Sequence, residues 1–208
     1  MVTGAQGTRW YTVSITGQDA HAGSTPMAGR RDAVVAAAAL IESVDHIARE
    51  RSPQAVGTVG ALTVSPNSQN TIAGHVELRV DMRHPDAQMM TEMDVVLRDS
   101  AATIAEARNV VINVDDIWYK PPVVFDTDCI ASVREAAATL GYSHQDIVSG
   151  AGHDACQVCS VAPTAMIFVP CAGGLSHNEA ESAKPEHLEA GCNVLLNAMV
   201  ERSGVVES

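Results

Sequence analysis

No apolar run in these 208 residues approaches the roughly 20 residues that a helix needs to cross a bilayer. The opening, MVTGAQGTRWYTVSITG, lacks the basic start and the apolar stretch of a secretory leader. Positive charge is scarce: 13 Lys and Arg stand against 25 Asp and Glu, for a net charge of −12. That balance argues against a nucleic-acid backbone or an anionic membrane surface, so no nucleic acid and no membrane are expected as partners. Two Trp, three Tyr and two Phe are too few for the stacking platforms of a nucleic-acid module. Five cysteines (129, 156, 159, 171 and 192) are an odd number at no framework spacing. Free thiols in a reducing compartment are the simple reading, and a cytoplasmic setting is expected. The lone CQVC at 156–159 has no second pair, so its cysteines read as small buried side chains rather than zinc or redox groups. There is no HExxH.

Apolar residues make up 46% of the chain, which is enough for one or two globular domains. Residues 8–17 alternate as a strand, and 32–50 are Ala-rich at helical spacing with Asp32 placed to cap the start. Strands are expected over 55–66 and 75–85, a long helix over 86–109, and another strand over 110–119. The order β-α-β-β-α-β predicts a ferredoxin-like two-layer sandwich. KPPVVF at 120–125 breaks the rhythm. Beyond it come a helix over 127–141, a helix through the cysteines, a buried strand over 163–170 and a last helix from Pro185 to about Arg202. So few strands cannot cover the helices around them, and this part reads as the tail of a larger α/β domain.

Several polar residues are candidates for chemistry. His21 lies in DAHAGSTPM, a small-residue loop between strand and helix, where a histidine is displayed to solvent or to substrate. Asn70 in SQNTIAG reads as a turn residue. Arg83 ends a strand whose Arg79, Asp81 and Arg83 form a wet face, and it could clamp a carboxylate in two-point fashion. Gly152 and His153 in SGAGHDA form either a tight turn or an approach for backbone N–H groups to a ligand oxygen. His177 follows a glycine pair beyond an expected strand end, a suitable place for a divalent metal, although one histidine is not a site. His46, His75, His84, His144 and His187 have no evident partners and are expected on the surface.

Taken together and in order, TGAQGTRWYTVSITGQDAHAGSTPMAGRRDA, NTIAGHVELRVDMRHPD, GAGHDA and FVPCAGGLSHNEAE closely resemble the hydantoinase/carbamoylase family of amidases. That family comprises N-carbamoyl-L-amino acid hydrolases, β-ureidopropionases and allantoate amidohydrolases, within the two-metal aminoacylases and exopeptidases. The resemblance implies that residues 1–120 are a ferredoxin-like βαββαβ lid and dimerisation domain. Residues 121–208 would be the C-terminal segment of an α/β catalytic domain. It also implies hydrolysis of the C–N bond in N-carbamoyl amino acids or related ureido acids by a homodimer.

In that family two divalent ions, zinc or manganese, activate a bridging water while a glutamate acts as general base. By resemblance, His177 is a metal ligand, and His21 polarises the scissile carbamoyl group, typically across the dimer interface. Asn70 and Arg83 hold the substrate carboxylate, and Gly152 and His153 line the pocket. The family's other metal ligands and its Glu-Glu pair precede the lid, so this chain is expected to be inactive alone. Ala73 stands where the family usually has proline, which should loosen a turn. The competing expectations are a non-catalytic dimerising or binding module, and a parent enzyme of the allantoate amidohydrolase or aminoacylase type.

Overall fold

The structure is a computed structural model that describes residues 1–204. In chain order its elements are β1 (Val2–Ala5), β2 (Gly7–Thr16), β3 (Ala20–His21), α1 (Ala33–Arg49), β4 (Val56–Ser65), β5 (Thr71–Ile72), β6 (His75–His84) and α2 (Ala87–Arg108). They continue with β7 (Val111–Lys120), β8 (Val123–Val124), α3 (Thr127–Thr139), β9 (Ile147–Ser149), α4 (Ala155–Val158) and α5 (Pro185–Ser203). Two compact units result: Gly7–Pro122, and Met1–Gln6 together with Val123 onward.

The first of these is the α+β sandwich expected from the pattern. A four-stranded antiparallel sheet runs β4-β6-β2-β7, the ferredoxin-like order, with α1 and α2 on one face. The strict alternation in the two central strands explains the single buried face. Tyr11, Val13 and Ile15 from β2, with Val76, Leu78, Val80 and Met82 from β6, point into the core and meet Ala36, Leu40, Val44 and Ile47 of α1 and Met93 and Leu97 of α2. Asp32 caps α1 by accepting the Val34 and Val35 N–H groups, at 3.0 and 3.2 Å. Asp86 caps α2 at the Met89 N–H, 2.8 Å away, and Asn109 closes it in the left-handed conformation.

Of the histidines expected at the surface, His84 is buried at 4% exposure, because it ends the inward-facing row of β6. Its Nδ1 accepts the Asp86 N–H at 3.0 Å.

The second unit is built on a small sheet of order β8-β1-β9, in which β1 runs antiparallel to β8 and parallel to β9. Residues 1–6 fold here rather than with the residues up to 120, because β1 supplies the central strand of this sheet. Phe125, Ile130, Val133, Val2 and Val194 form its core. The strand expected at 163–170 does not form. Its backbone makes one bridge, with the Val2 N–H donating to the Met166 carbonyl at 2.9 Å, and its side chains are half-buried or exposed. β1, the strand that bridges to it, is four residues long, and a further backbone contact is a single hydrogen bond from the Asp126 N–H to the Thr164 carbonyl at 3.0 Å. The helix through the cysteines shrinks to the single turn α4. Along α5 only Val194 and Ala198 are buried, while Leu195, Leu196 and Met199 stay exposed. The last four residues of the expected 121–208 segment lie outside the described residues.

Candidate functional site

The ribbon formed by β3 and β5 was not legible as a strand pair, yet it organises two candidate residues. His21 pairs with Thr71 and Ala20 with Ile72. The Ala22 N–H donates to the Asn70 carbonyl at 2.8 Å, which fixes His21 and Asn70 side by side. The imidazole Nδ1 of His21 accepts two backbone N–H groups, from Gly23 at 3.0 Å and Ser24 at 3.2 Å. A nitrogen that accepts carries no hydrogen, so the ring hydrogen is on Nε2.

A Cβ at residue 23 would lie 3.2 Å from the imidazole Cε1, so glycine there permits the close approach. Arg30, which the sequence did not single out, donates to the Ala22 carbonyl at 2.6 Å and to the Thr25 carbonyl at 3.1 Å, and so holds the loop in shape. The side-chain carbonyl of Asn70 accepts the Ser68 hydroxyl at 2.9 Å and the Thr71 hydroxyl at 3.4 Å. Its amide NH2 is thereby left as the donor. The ribbon therefore displays two N–H donors, from His21 and Asn70, both suited to oxygen acceptors. Ala73, the departure from the family's proline, is buried, and its carbonyl accepts the Ala33 N–H at 3.0 Å, so it joins the ribbon to the start of α1.

Arg83 is not brought to this pair in this chain. Thr16 pairs with His75 at the ribbon end of the sheet, whereas Arg83 pairs with Thr8 at the other end. Eight residues along β6 correspond to roughly 26 Å. The Arg83 guanidinium holds Asp81, with Nε donating at 3.0 Å to one carboxylate oxygen and a terminal nitrogen at 2.6 Å to the other. This hydrogen bond raises the arginine's pKa. Elsewhere in the sheet, Arg9 and Arg98 both grip Asp116, which sets a second ion-pair network between β2, α2 and β7.

In the other unit, His153 is half-buried, and its Nε2 lies 2.8 Å from the hydroxyl oxygen of Ser149. The Phe168 ring meets it edge-on at 5.3 Å. Gly152 faces open space, so no steric contact requires glycine there. His177 is exposed with a left-handed φ of 56°, just beyond Gly173 and Gly174, which also take positive φ. Its backbone N–H donates to the Glu181 carboxylate at 2.9 Å. Ser149 and Phe168 were not foreseen as partners of His153. Among the described residues no three His, Cys, Asp or Glu side chains converge as a metal cluster. The residues present therefore do not make up a metal site, and His177 is a single potential donor.

Comparison with known proteins identifies the setting. A model of Peptidase family M20/M25/M40 matches residues 12–201. An N-carbamoyl-L-amino-acid amidohydrolase of Rhizobium meliloti is 45% identical over 207 residues, covering 100% of this chain and 50% of that relative. The allantoate amidohydrolase of Escherichia coli (strain K12) is 31% identical over 195 residues, covering 94% of this chain and 47% of that relative. The crystal structure of an amidase of the hydantoinase/carbamoylase family from Burkholderia multivorans superposes with a TM-score of 0.92 at 52% identity, covering 97% of this chain and 49% of that one. The chain thus spans about half the length of the curated relatives it matches. It belongs to the peptidase family M20/M25/M40, and the solved structures most similar to it include that family's hydantoinase/carbamoylase amidases.

Proposed function

We propose that this chain serves a metal-dependent hydrolase of N-carbamoyl amino acids or related ureido acids. In this reading it supplies the substrate-holding and dimerising parts. The observation that carries the reading is the orientation of His21. With Nδ1 filled by the Gly23 and Ser24 N–H groups, the ring can only donate, through Nε2, and Asn70 beside it is likewise a donor. Two neutral donors fit a carbonyl oxygen that gains negative charge as its carbon is attacked. His177 contributes one metal donor, and the remaining ligands come from polypeptide beyond this chain.

The separation of Arg83 from the ribbon favours a dimer. A ureido acid is far shorter than roughly 26 Å, so one molecule cannot touch both ends of one sheet. Groups from two copies would have to meet around it. The sheet edges differ in a way that points to the contact. Both edge strands carry one bulge, β7 at Ile117 and β4 at Gly60, but β7 also carries Asp115, Asp116 and Lys120, charges that discourage pairing. The opposite edge, β4, is ten residues without a single charge or proline, and it exposes Val56 and Leu62. Pairing through β4 is therefore the proposed dimer contact. The five free cysteines accord with a cytoplasmic setting.

The test is reconstitution. This chain is mixed with the N-terminal half of the Rhizobium meliloti relative and manganese, and ammonia release from N-carbamoyl-L-alanine and from allantoate is followed. Turnover is expected only with both polypeptides, with a loss of roughly 10²–10³-fold in His21→Ala. Turnover by this chain alone would overturn the shared-site reading. A complex that forms but cleaves neither compound would overturn the substrate class.

A further inference from the structure

Ser149 and His153 look at first like a nucleophile and its base, with 2.8 Å between the serine oxygen and Nε2. Burial excludes that. Ser149 is 1% exposed, and its hydroxyl is tied into the turn that follows β9. A nucleophile has to reach a substrate carbon, and this oxygen cannot.

The same contacts decide what the pair does. The Ser149 oxygen lies 3.0 Å from the Ala151 carbonyl oxygen, 3.1 Å from the Ala151 nitrogen and 2.8 Å from His153 Nε2. A hydroxyl has one hydrogen to donate and two lone pairs that accept. The Ala151 N–H can only donate, and the Ala151 carbonyl can only accept. If the hydroxyl gave its hydrogen to Nε2, two oxygens would face each other at 3.0 Å with no hydrogen between them. If it donates to the Ala151 carbonyl, it accepts from both the Ala151 N–H and an Nε2–H, and all three contacts are satisfied.

We infer that Ser149 is a positioning residue that holds His153 as the tautomer with hydrogen on Nε2, so that Nδ1 is an acceptor directed at a ligand N–H. Among the described residues Nδ1 has no hydrogen-bond partner. The Phe168 ring, edge-on at 5.3 Å, restrains the imidazole from a second side. The identity of the ligand rests on the proposed function, in which a ureido group offers N–H donors that a bare Nδ1 would select. A ligand presenting only acceptor oxygens would gain nothing there.

The tautomer can be read in the whole 208-residue chain by two-bond proton–nitrogen correlation on uniformly ¹⁵N-labelled protein at neutral pH. His153 is assigned as the ring system lost in His153→Gln. The expected spectrum shows hydrogen on Nε2 and a bare Nδ1. In Ser149→Ala the preference should relax toward the mixture of a free imidazole, and Ser149→Thr, which keeps the hydroxyl, should restore it. Hydrogen on Nδ1 of the unaltered chain would overturn the inference even if neither variant folds. An unchanged spectrum in Ser149→Ala would overturn it as well. Adding N-carbamoyl-L-alanine separates the two readings: a fixed tautomer whose Nδ1 resonance ignores the compound refutes the ureido contact and leaves the role of Ser149 standing.

Discussion

The position of His21 depends on a close approach at Gly74. The Gly74 N–H donates to the Asp19 carboxylate at 2.6 Å, and Gly17 donates to the Gly74 carbonyl at 2.8 Å, so these contacts form the base of the β3–β5 ribbon. A Cβ added at Gly74 would lie 2.7 Å from the Asp19 nitrogen and closer still to its carboxylate oxygen. Gly74→Ala therefore forces Asp19 away and breaks that hydrogen bond. A bond to a charged acceptor is worth about 1.5–3 kcal/mol, and exposure of Asp19 brings this nearer to about 1–2 kcal/mol. The cost should fall on local opening of the ribbon rather than on the sheet, whose core contains neither residue. Native-state hydrogen exchange of the Ala22 amide, which is bonded to the Asn70 carbonyl, reads that opening. It should speed up roughly five- to thirtyfold, with the Val13 and Leu78 amides unchanged. Unaltered protection at Ala22 would refute the claim that this contact holds the ribbon. Acceleration throughout the sheet would show that the ribbon is not a separate local unit.

Leu78→Ala removes a fully buried side chain from the central strand and should cost about 2–5 kcal/mol, lowering the urea midpoint of the sandwich at constant slope. The Arg9 guanidinium, 2.7 Å away, holds the Asp116 carboxyl below the usual carboxylate range. A depressed folded-state value stabilises above the unfolded value and loses that contribution as pH falls through the folded one. Asp116→Asn should thus cost under about 1 kcal/mol at neutral pH and flatten the fall in stability as pH drops through and below the usual carboxylate range, as followed by urea unfolding. Leu62→Lys places a charge on the β4 edge and, under the proposed pairing through β4, should shift the mass measured by light scattering from dimer to monomer. A mass unchanged from that of the unaltered protein would remove β4 as the contact.

The sandwich was legible because its signals are local. Alternation in β2 and β6, helical spacing in α1 and α2, and the caps at Asp32 and Asp86 each act within a few residues. The features that were missed depend on pairing at a distance. β1 becomes a central strand only because β8 and β9 come from more than 115 residues later, and four residues carry no period of their own. The converse failure at 163–170 has the same cause: apolar, β-prone letters make a strand only where a neighbour supplies the ladder, and here one rung forms.

The candidate histidines divide along the same line. His21, His153 and His177 were visible as letters, but what each ring can do was not. The N–H groups that fill His21 Nδ1 come from two and three residues on, and the hydroxyl that meets His153 comes from four residues back. The first set is within reach of sequence reasoning that asks where a ring nitrogen finds its partner. Ser149 in SGAGH has the two-residue spacing at which a serine oxygen takes a backbone N–H, so the turn could have been foreseen. That its oxygen would then meet an imidazole could not, because no local signal in the letters fixes the backbone path from Gly150 to His153.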